Sequence, residues 1–247
     1  MRNAIVLASV LFAAAAFAHD TQSELPVPLQ FVPQDLMDLQ RPDLPRALSD
    51  HAVDLRVADA RAGDPMLVGQ GTNDDDRLFP IRAEDEVIGY IDTTLHDLSS
   101  AWGLTTSRRA ERVLKLRLTR FFVEESNKPV GSVYTAEARL AFVLTDGSGR
   151  LLAEGAGSGV AHRYGRARSA DNCNEVLSDA LQEAFANVLS DSRLRGAWSG
   201  GRADPGRWSG DTDRTEQRLR RLEDLYRKKL ITRDEYEQKR AEILRGL

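Results

Sequence analysis

The residues in this 247-residue sequence that could do chemistry are four histidines, one cysteine and a run of aspartates. His96 follows Asp92 by four residues, and on a helix that spacing brings imidazole and carboxylate together. Such a pair could begin an acid–base site. A hydrolase would also need a nucleophile and an enclosed pocket. Ser99 and Ser100 are near but lie in no nucleophile motif. The pair therefore reads first as a surface hydrogen bond, and the chain is expected not to be an enzyme. His19 could chelate copper through a free amine and its ring, given a second histidine held in place. His51, His96 and His162 are scattered, so no metal is expected. Asp74, Asp75 and Asp76 offer hard oxygen donors but lack the alternate spacing and distal glutamate of a calcium loop. They read as a solvated loop, and no other cofactor is implied. Cys173 lies near an expected helix start, where the dipole can lower a thiol pKa. It could be redox-active, bridge two chains, or act as a small buried hydrophobe.

Gly155, Gly157 and Gly159 share one face of an expected strand. Glycine weakens a strand, so three in register want a reason. They could admit a ligand or a partner's backbone. The plainer reading is close packing of a helix, with Ala180 and Ala184 above them. The run is neither a dinucleotide fingerprint nor a nucleophile elbow: Val160 and Ala156 stand where those motifs need glycine or a different spacing.

The elements that position these residues centre on Ser132 to Val160. Tyr134, Ala136, Ala138, Leu140, Phe142 and Leu144 share one parity, and Thr135, Glu137 and Arg139 the other, which predicts a half-buried strand. Asp146-Gly147-Ser148-Gly149 is a turn, and Leu151 to Val160 returns as a second strand. Before it, Val53, Leu55 and Val57 alternate as a first strand, followed by a turn over Asp59 to Pro65. Met66 to Val68 is a short apolar piece, and Gly69 to Arg77 a solvated loop. Val87, Ile88, Ile91, Leu95, Leu98 and Trp102 form one stripe of a helix over Ala83 to Trp102. Asp85 and Glu86 are expected in its first turn, with Gly103 at the stop. Val113 to Val123 is a strand with Leu114, Leu116 and Leu118 inward. Ser169 to Leu189 is a second helix, capped by Asn172 with Glu175. The order of elements predicts an α+β fold: helices packed on one face of a mainly antiparallel sheet.

Outside this body the chain changes character. Residues 1–18 read as a secretory signal: Arg2, an apolar run, then Ala16-Phe17-Ala18 before His19. The expected location is periplasmic. The apolar run is short for a membrane span. Residues 19–50 hold five of the nine prolines and read as an extended lead-in with a short helical turn near Asp35 to Gln40. Residues 51–198 form the domain, and 199–213 are a Gly-rich flexible linker. Residues 214–247 resume helical periodicity: Leu219, Leu222, Leu225 and Tyr226, a break at Ile231-Thr232, then Tyr236, Ile243 and Leu244. Thr232 with Glu235 makes a capping box, so this tail is a helical hairpin. A hairpin of that length buries too little to stand firmly alone, so its stripes want a second surface.

Charge divides along the same boundary. The whole chain carries −4, yet Arg214 to Leu247 holds 11 Lys/Arg against 7 Asp/Glu, a net of +4. Without Arg2, residues 19–213 hold −9. An acidic body argues against nucleic acid as partner. The basic tail permits contact with an anionic membrane but is not expected to span one. Interleaved Glu223, Asp224, Glu235 and Glu237 favour protein contact instead.

The tail resembles the SHOCT (short C-terminal) domain on its leucine repeat, the Ile231-Thr232 break, Asp234-Glu235-Tyr236 and Lys239, with Lys229 where that family usually has glycine. The resemblance implies an oligomerising or interaction module appended to the body. The body resembles YajG-like envelope lipoproteins in its Asp59-x-Arg61 after the first strand, the Val87–Trp102 helix ending in Gly103-Leu104, the long hairpin and the closing helix running to Asp191. His19 stands where those proteins carry a lipidated cysteine, so anchoring is not implied, and no catalytic residue is carried over. The sequence reads as a non-enzymatic envelope protein whose tail mediates self-association or docks another envelope protein. The alternatives are a small-molecule or lipid carrier with its cavity beside Gly155–Gly159, and a hydrolase using His96 and Asp92.

Overall fold

The computed structural model describes residues 24–31, 48, 51–73, 76–128, 130–165 and 168–198, with six tail positions, 222, 233, 236, 237, 239 and 240. The expected signal, the helical turn near Asp35 to Gln40, the linker over 199–213, and Asp74 and Asp75 lie outside the described residues.

Seven strands form one sheet: β1 (Leu25–Val27), β2 (Asp54–Asp59), β3 (Leu67–Thr72), β4 (Leu78–Ala83), β5 (Arg112–Lys128), β6 (Gly131–Asp146) and β7 (Leu151–Gly165). Their spatial order is β1-β4-β3-β5-β6-β7, with β2 also beside β5. Among the described residues three helices are bounded on both sides: α1 (Val87–Ala101), α2 (Ala170–Leu189) and α3 (Ser192–Trp198). The fold is α+β, and the sheet is mixed rather than mainly antiparallel. β5, β6 and β7 pair antiparallel. β2 and β3 both run parallel to β5, and β1 runs parallel to β4. The parallel pairs follow from connectivity: α1 crosses over between β2 and β5, and a crossover returns the chain in the same direction.

β5 organises the sheet. Its first half pairs with β2 and its second half with β3, so two short strands share one edge of one long strand. Leu114, Leu116 and Leu118 face inward as their spacing predicts, and each is fully buried. At Thr119 the register against β6 shifts, Leu118 facing Leu140 and Arg120 facing Arg139. One residue is extra, a β-bulge. Beyond it the inward parity is Phe121, Val123 and Glu125.

Three elements differ from expectation. The segment after Val68 is a strand, not a solvated loop: Gly69 and Gly71 are buried because β5 and β4 lie against them. A Cβ on Gly69 would stand 2.6 Å from Val123 Cγ1, and one on Gly71 2.7 Å from Phe79 Cε1. Glycine at the inward positions erases the apolar alternation that marks a strand. β4 follows, with Phe79, Ile81 and Ala83 buried. The lead-in enters the sheet as β1, burying Leu25 and Val27 and turning Pro26 outward. Pro26 has no N–H to give, which an edge strand tolerates. The excursion between β2 and β3 is fastened by Arg61. It pairs with Asp59 at 2.7 Å and donates to Pro65 O at 2.7 Å. Its hydrogen bond holds the Asp59 carboxyl below the usual range against partial burial.

The helices share the inner face. Tyr90 of α1 lies 6.2 Å from Phe121 of β5, and Trp102 stacks on Phe185 of α2 at 5.5 Å. α1 begins at Val87, later than expected, so Asp85 and Glu86 precede it. Glu86 is the N-cap residue but makes no side-chain cap bond. α2 is capped by Ser169, whose side chain accepts from the Asn172 amide, rather than by Asn172 itself. Glu175 pairs with Arg163 of β7 instead of closing a capping box. α2 stops at Leu189, and Asp191 opens α3 by accepting from the Arg193 and Leu194 amides.

Candidate functional site

The three glycines lie under helices. A Cβ on Gly157 would stand 2.5 Å from Ala184 O and 2.6 Å from Val188 N; one on Gly159 would stand 2.5 Å from Ala184 N. Gly155 is crossed by Arg193 and the Phe142 ring. Ala180, Ala184 and Val188 are fully buried there, so helix backbone fills the space a carrier would need. α2 also covers the outer edge of β7. Glu183 Oε2 accepts from the Val160 amide at 3.0 Å, and Asn187 donates to Ser158 O at 2.7 Å. An unpaired edge strand invites pairing with another chain, and these side chains occupy it.

His19 lies outside the described residues, and the other three histidines are not grouped. His96 Nδ1 lies 2.9 Å from Asp92 O and 3.7 Å from Asp92 Oδ1, on the open face of α1. Ser99 is buried and donates to Leu95 O at 2.6 Å, away from the imidazole. No base, hydroxyl and enclosure converge there. His162 meets Thr135 Oγ1 at 3.1 Å on the outer face of the sheet. Among the described residues no three histidine, cysteine or acidic side chains are grouped to hold a metal.

A polar cluster that sequence reasoning missed closes one end of the sheet. Glu125, buried on the inward parity of β5, accepts from Ser132 Oγ at 2.8 Å and Tyr134 OH at 3.4 Å. Arg168 Nε approaches its other oxygen at 3.5 Å. The same guanidinium lies over the Phe79 ring at 4.2 Å and reaches Thr72 O at 3.3 Å. Tyr134 OH accepts from the Ser169 amide at 3.0 Å, joining the cluster to the cap of α2. Cys173 sits beside it, fully buried. Burial, then the nearby Glu125 charge, push its thiol up to about 12. Both hold the thiol protonated, which works against a nucleophilic or redox role, and the helix start does not offset them. The signal that could have found this cluster is the parity change at Thr119, which turns Glu125 inward.

An open concave site among the described residues is the outer face of α1. A groove of about 380 Å³ runs between Leu29 and Phe31 on one side and Asp85, Glu86, Tyr90, Thr93 and Asp97 on the other. Tyr90 is anchored to Ser178 at 2.8 Å, and burial raises its hydroxyl pKa. The floor is apolar and the rim is acidic. From Ala83 to Gly103 the chain holds five acidic residues, Glu84, Asp85, Glu86, Asp92 and Asp97, and no Lys or Arg. All five are exposed.

Of the tail residues singled out by sequence, Leu222 and Tyr236 are described; Leu219, Leu225, Tyr226, Ile231, Ile243 and Leu244 lie outside the described residues. Leu222, Arg233, Tyr236, Glu237, Lys239 and Arg240 are all helical. Arg233 pairs with Glu237 at 3.0 Å, an i,i+4 pair. Leu222 is 8% exposed. No described helix is long and apolar enough to cross a membrane.

No family model matches this chain, and no curated protein matches it. Solved structures give distant similarities. A Xanthomonas campestris protein of family DUF330 is 12% identical, with 72% of this chain and 95% of that one covered at a TM-score of 0.42. A hypothetical protein of Chlamydia trachomatis is 10% identical, covering 61% of this chain and 99% of that one, TM-score 0.35. A minor lipoprotein of Acinetobacter baumannii is 12% identical, covering 63% and 97%, TM-score 0.32.

Proposed function

We propose that this chain is a non-enzymatic periplasmic or cell-envelope binding module, with contact-making assigned to its C-terminal helical hairpin. The observation that carries the reading is Leu222. It is helical and buried, which fits an apolar stripe that is covered rather than left to water. By its sequence the Gly-rich 199–213 would tether it to the body. A tethered module of this size adds a weak contact to other weak contacts through effective concentration, with no need for a strong interface. The hairpin can cover one apolar stripe between its helices. The other stripe, formed by Ile231, Tyr236, Ile243 and Leu244 in the sequence, would meet a second copy or another envelope protein.

Sedimentation of the mature chain with and without residues 214–247 tests this. The full chain should associate more strongly, or retain a partner that the shortened chain loses. Identical sedimentation and identical partners would remove the proposal.

A further inference from the structure

We infer that the acidic groove on α1 is the body's docking site for its own basic C-terminal hairpin, residues 214–247. This rests on the reading of the tail as a folded contact module and names the surface it occupies when no partner holds it. Three features select this occupant. The groove is acid-rimmed, with Asp85, Glu86 and Asp97 on its lining and Glu84 and Asp92 beside it. Neither Leu29–Phe31 nor Ala83–Gly103 contributes a cation to offset them. The tail carries a net +4, the opposite sign from the −9 of residues 19–213.

The floor supplies the second feature. Leu29, Phe31 and Tyr90 make an apolar strip between the acids. A hairpin with two apolar stripes hides one between its helices and has one left for such a strip. This is the helix-in-groove mode, with apolar contact seating the hairpin and opposite charge supplying the part of the affinity that salt removes.

Reach is the third. The 15 residues of 199–213 begin after Trp198, at the end of α3. A chain of that length spans at most about 50 Å when fully extended. As a flexible coil it spans roughly 20 Å on average. The Ser192–Trp198 helix packs on β7, and β7 lies two strands from β5, about 10 Å sideways in the sheet, an offset that either length covers. Docking within one chain then competes at a local concentration in the millimolar range. The hairpin sits on its own body until a partner, or a rise in salt, displaces it.

The test uses the full mature chain, isotopically labelled, with Thr93→Cys carrying a nitroxide in the groove. Cys173 is buried and is not modified in the folded protein. In dilute buffer the amide signals of the tail should be broadened by the label. In 1 M salt, where the Debye length falls to about 3 Å, the signals should recover. Asp85→Lys with Asp97→Lys should release the tail in dilute buffer, while Lys115→Glu, on the far face of the sheet, should not. A second sample mixes labelled chains lacking the nitroxide with unlabelled chains carrying it, and should show no broadening. Tail signals unaffected by the nitroxide would overturn the inference. So would broadening in the mixed sample alone, which would make the occupant a second copy, or broadening confined to residues 32–50. Sedimentation with and without the tail separates the two ideas. If tail deletion changes association while the nitroxide leaves the tail untouched, the contact module stands and this docking site falls.

Discussion

Gly157→Ala and Gly159→Ala each place one methyl group where the α2 backbone already lies. At Gly157 the added Cβ would stand 2.5 Å from Ala184 O, against about 3.4 Å for ordinary contact. The strand and helix must therefore separate by about 0.9 Å at that point. Neither neighbour is the loose end of a side chain, so the strain spreads into the fully buried Ala180, Ala184 and Val188. Overpacking of this kind costs about 1–3 kcal/mol. Alanine recovers about 0.5–1 kcal/mol of that, because glycine loses more backbone entropy in a strand. The expected net loss is about 1–2 kcal/mol for each variant, or about 2–8 °C in Tm for a domain of this size. Gly196→Ala, in α3 with nothing within 4 Å, is the control and should be neutral or stabilising. Urea unfolding of all three variants measures this. If the two strand variants unfold no earlier than Gly196→Ala, α2 is not seated on the glycines and the packing argument fails.

Other perturbations test the polar parts of the fold. Arg168→Met should destabilise by roughly 3 kcal/mol, because it leaves the buried Glu125 carboxylate without its cation. Adding Glu125→Gln should restore most of that; equal losses in the single and double variants would refute the pairing. Asp191→Ala removes the cap of α3 and should cost about 0.5–2 kcal/mol. Burial works against the Asp191 charge, but the Arg193 hydrogen bond and charge outweigh it, so its folded pKa lies below the usual value. Its contribution is therefore complete above the usual carboxylate range and lost as pH falls through the lowered pKa. Stability measured against pH should fall more steeply on acidification in the wild type than in Asp191→Ala. The Cys173 thiol, pushed up to about 12, should react with a thiol reagent at pH 8 only as the fold opens, and labelling at the rate of a free thiol would contradict its burial.

What could be read from sequence and what could not divide on a physical line. Elements whose apolar residues carry the period were legible. The β6–β7 hairpin, α2 and the first half of β5 stand where their spacing puts them, and α1 follows its apolar stripe but begins at Val87 rather than Ala83. The Asp146 turn was legible from its chemistry: Asp146 Oδ1 accepts from the Ser148 and Arg150 amides at 3.0 Å, and Gly149 takes positive φ. β3 was not legible, because its inward residues Gly69 and Gly71 have no side chain to register. The parallel pairing was hidden because β2 alone does not say which neighbour it joins. The groove left a trace in the run without Lys or Arg from Ala83 to Gly103, but its apolar wall comes from Leu29 and Phe31, more than 50 residues earlier. Only the fold brings those together.

The largest omission, the Glu125 cluster, has a single origin in the bulge at Thr119. Up to Leu118 the even residues of β5 face the helices; after Arg120 the odd ones do. That one inserted residue turns Phe121 and Val123 into the core and carries Glu125 inward at the end of the strand. A carboxylate so placed needs a cation, and the one that reaches it, Arg168, stands immediately before the Ser169 cap of α2. Tyr134 adds a second tie by accepting the Ser169 amide. The bulge therefore helps fix where α2 begins, and α2 begun there lays Ala180 and Ala184 over the glycines of β7. Deleting Thr119 alone tests the chain of cause. It joins Leu118 facing Leu140 directly to Arg120 facing Arg139 in one regular ladder, so Phe121, Val123 and Glu125 keep their inward parity. That variant should unfold near the wild-type urea concentration, with Cys173 still protected. Deleting Arg120 as well removes one residue too many: Phe121 then follows Leu118 and takes the outward place, and Val123 turns out with it. Losing the burial of both side chains costs about 3–6 kcal/mol, close to the whole stability of an ordinary domain. A single deletion that unfolds as early as the double one, with its thiol equally reactive, would show that the bulge does not set the phase of β5.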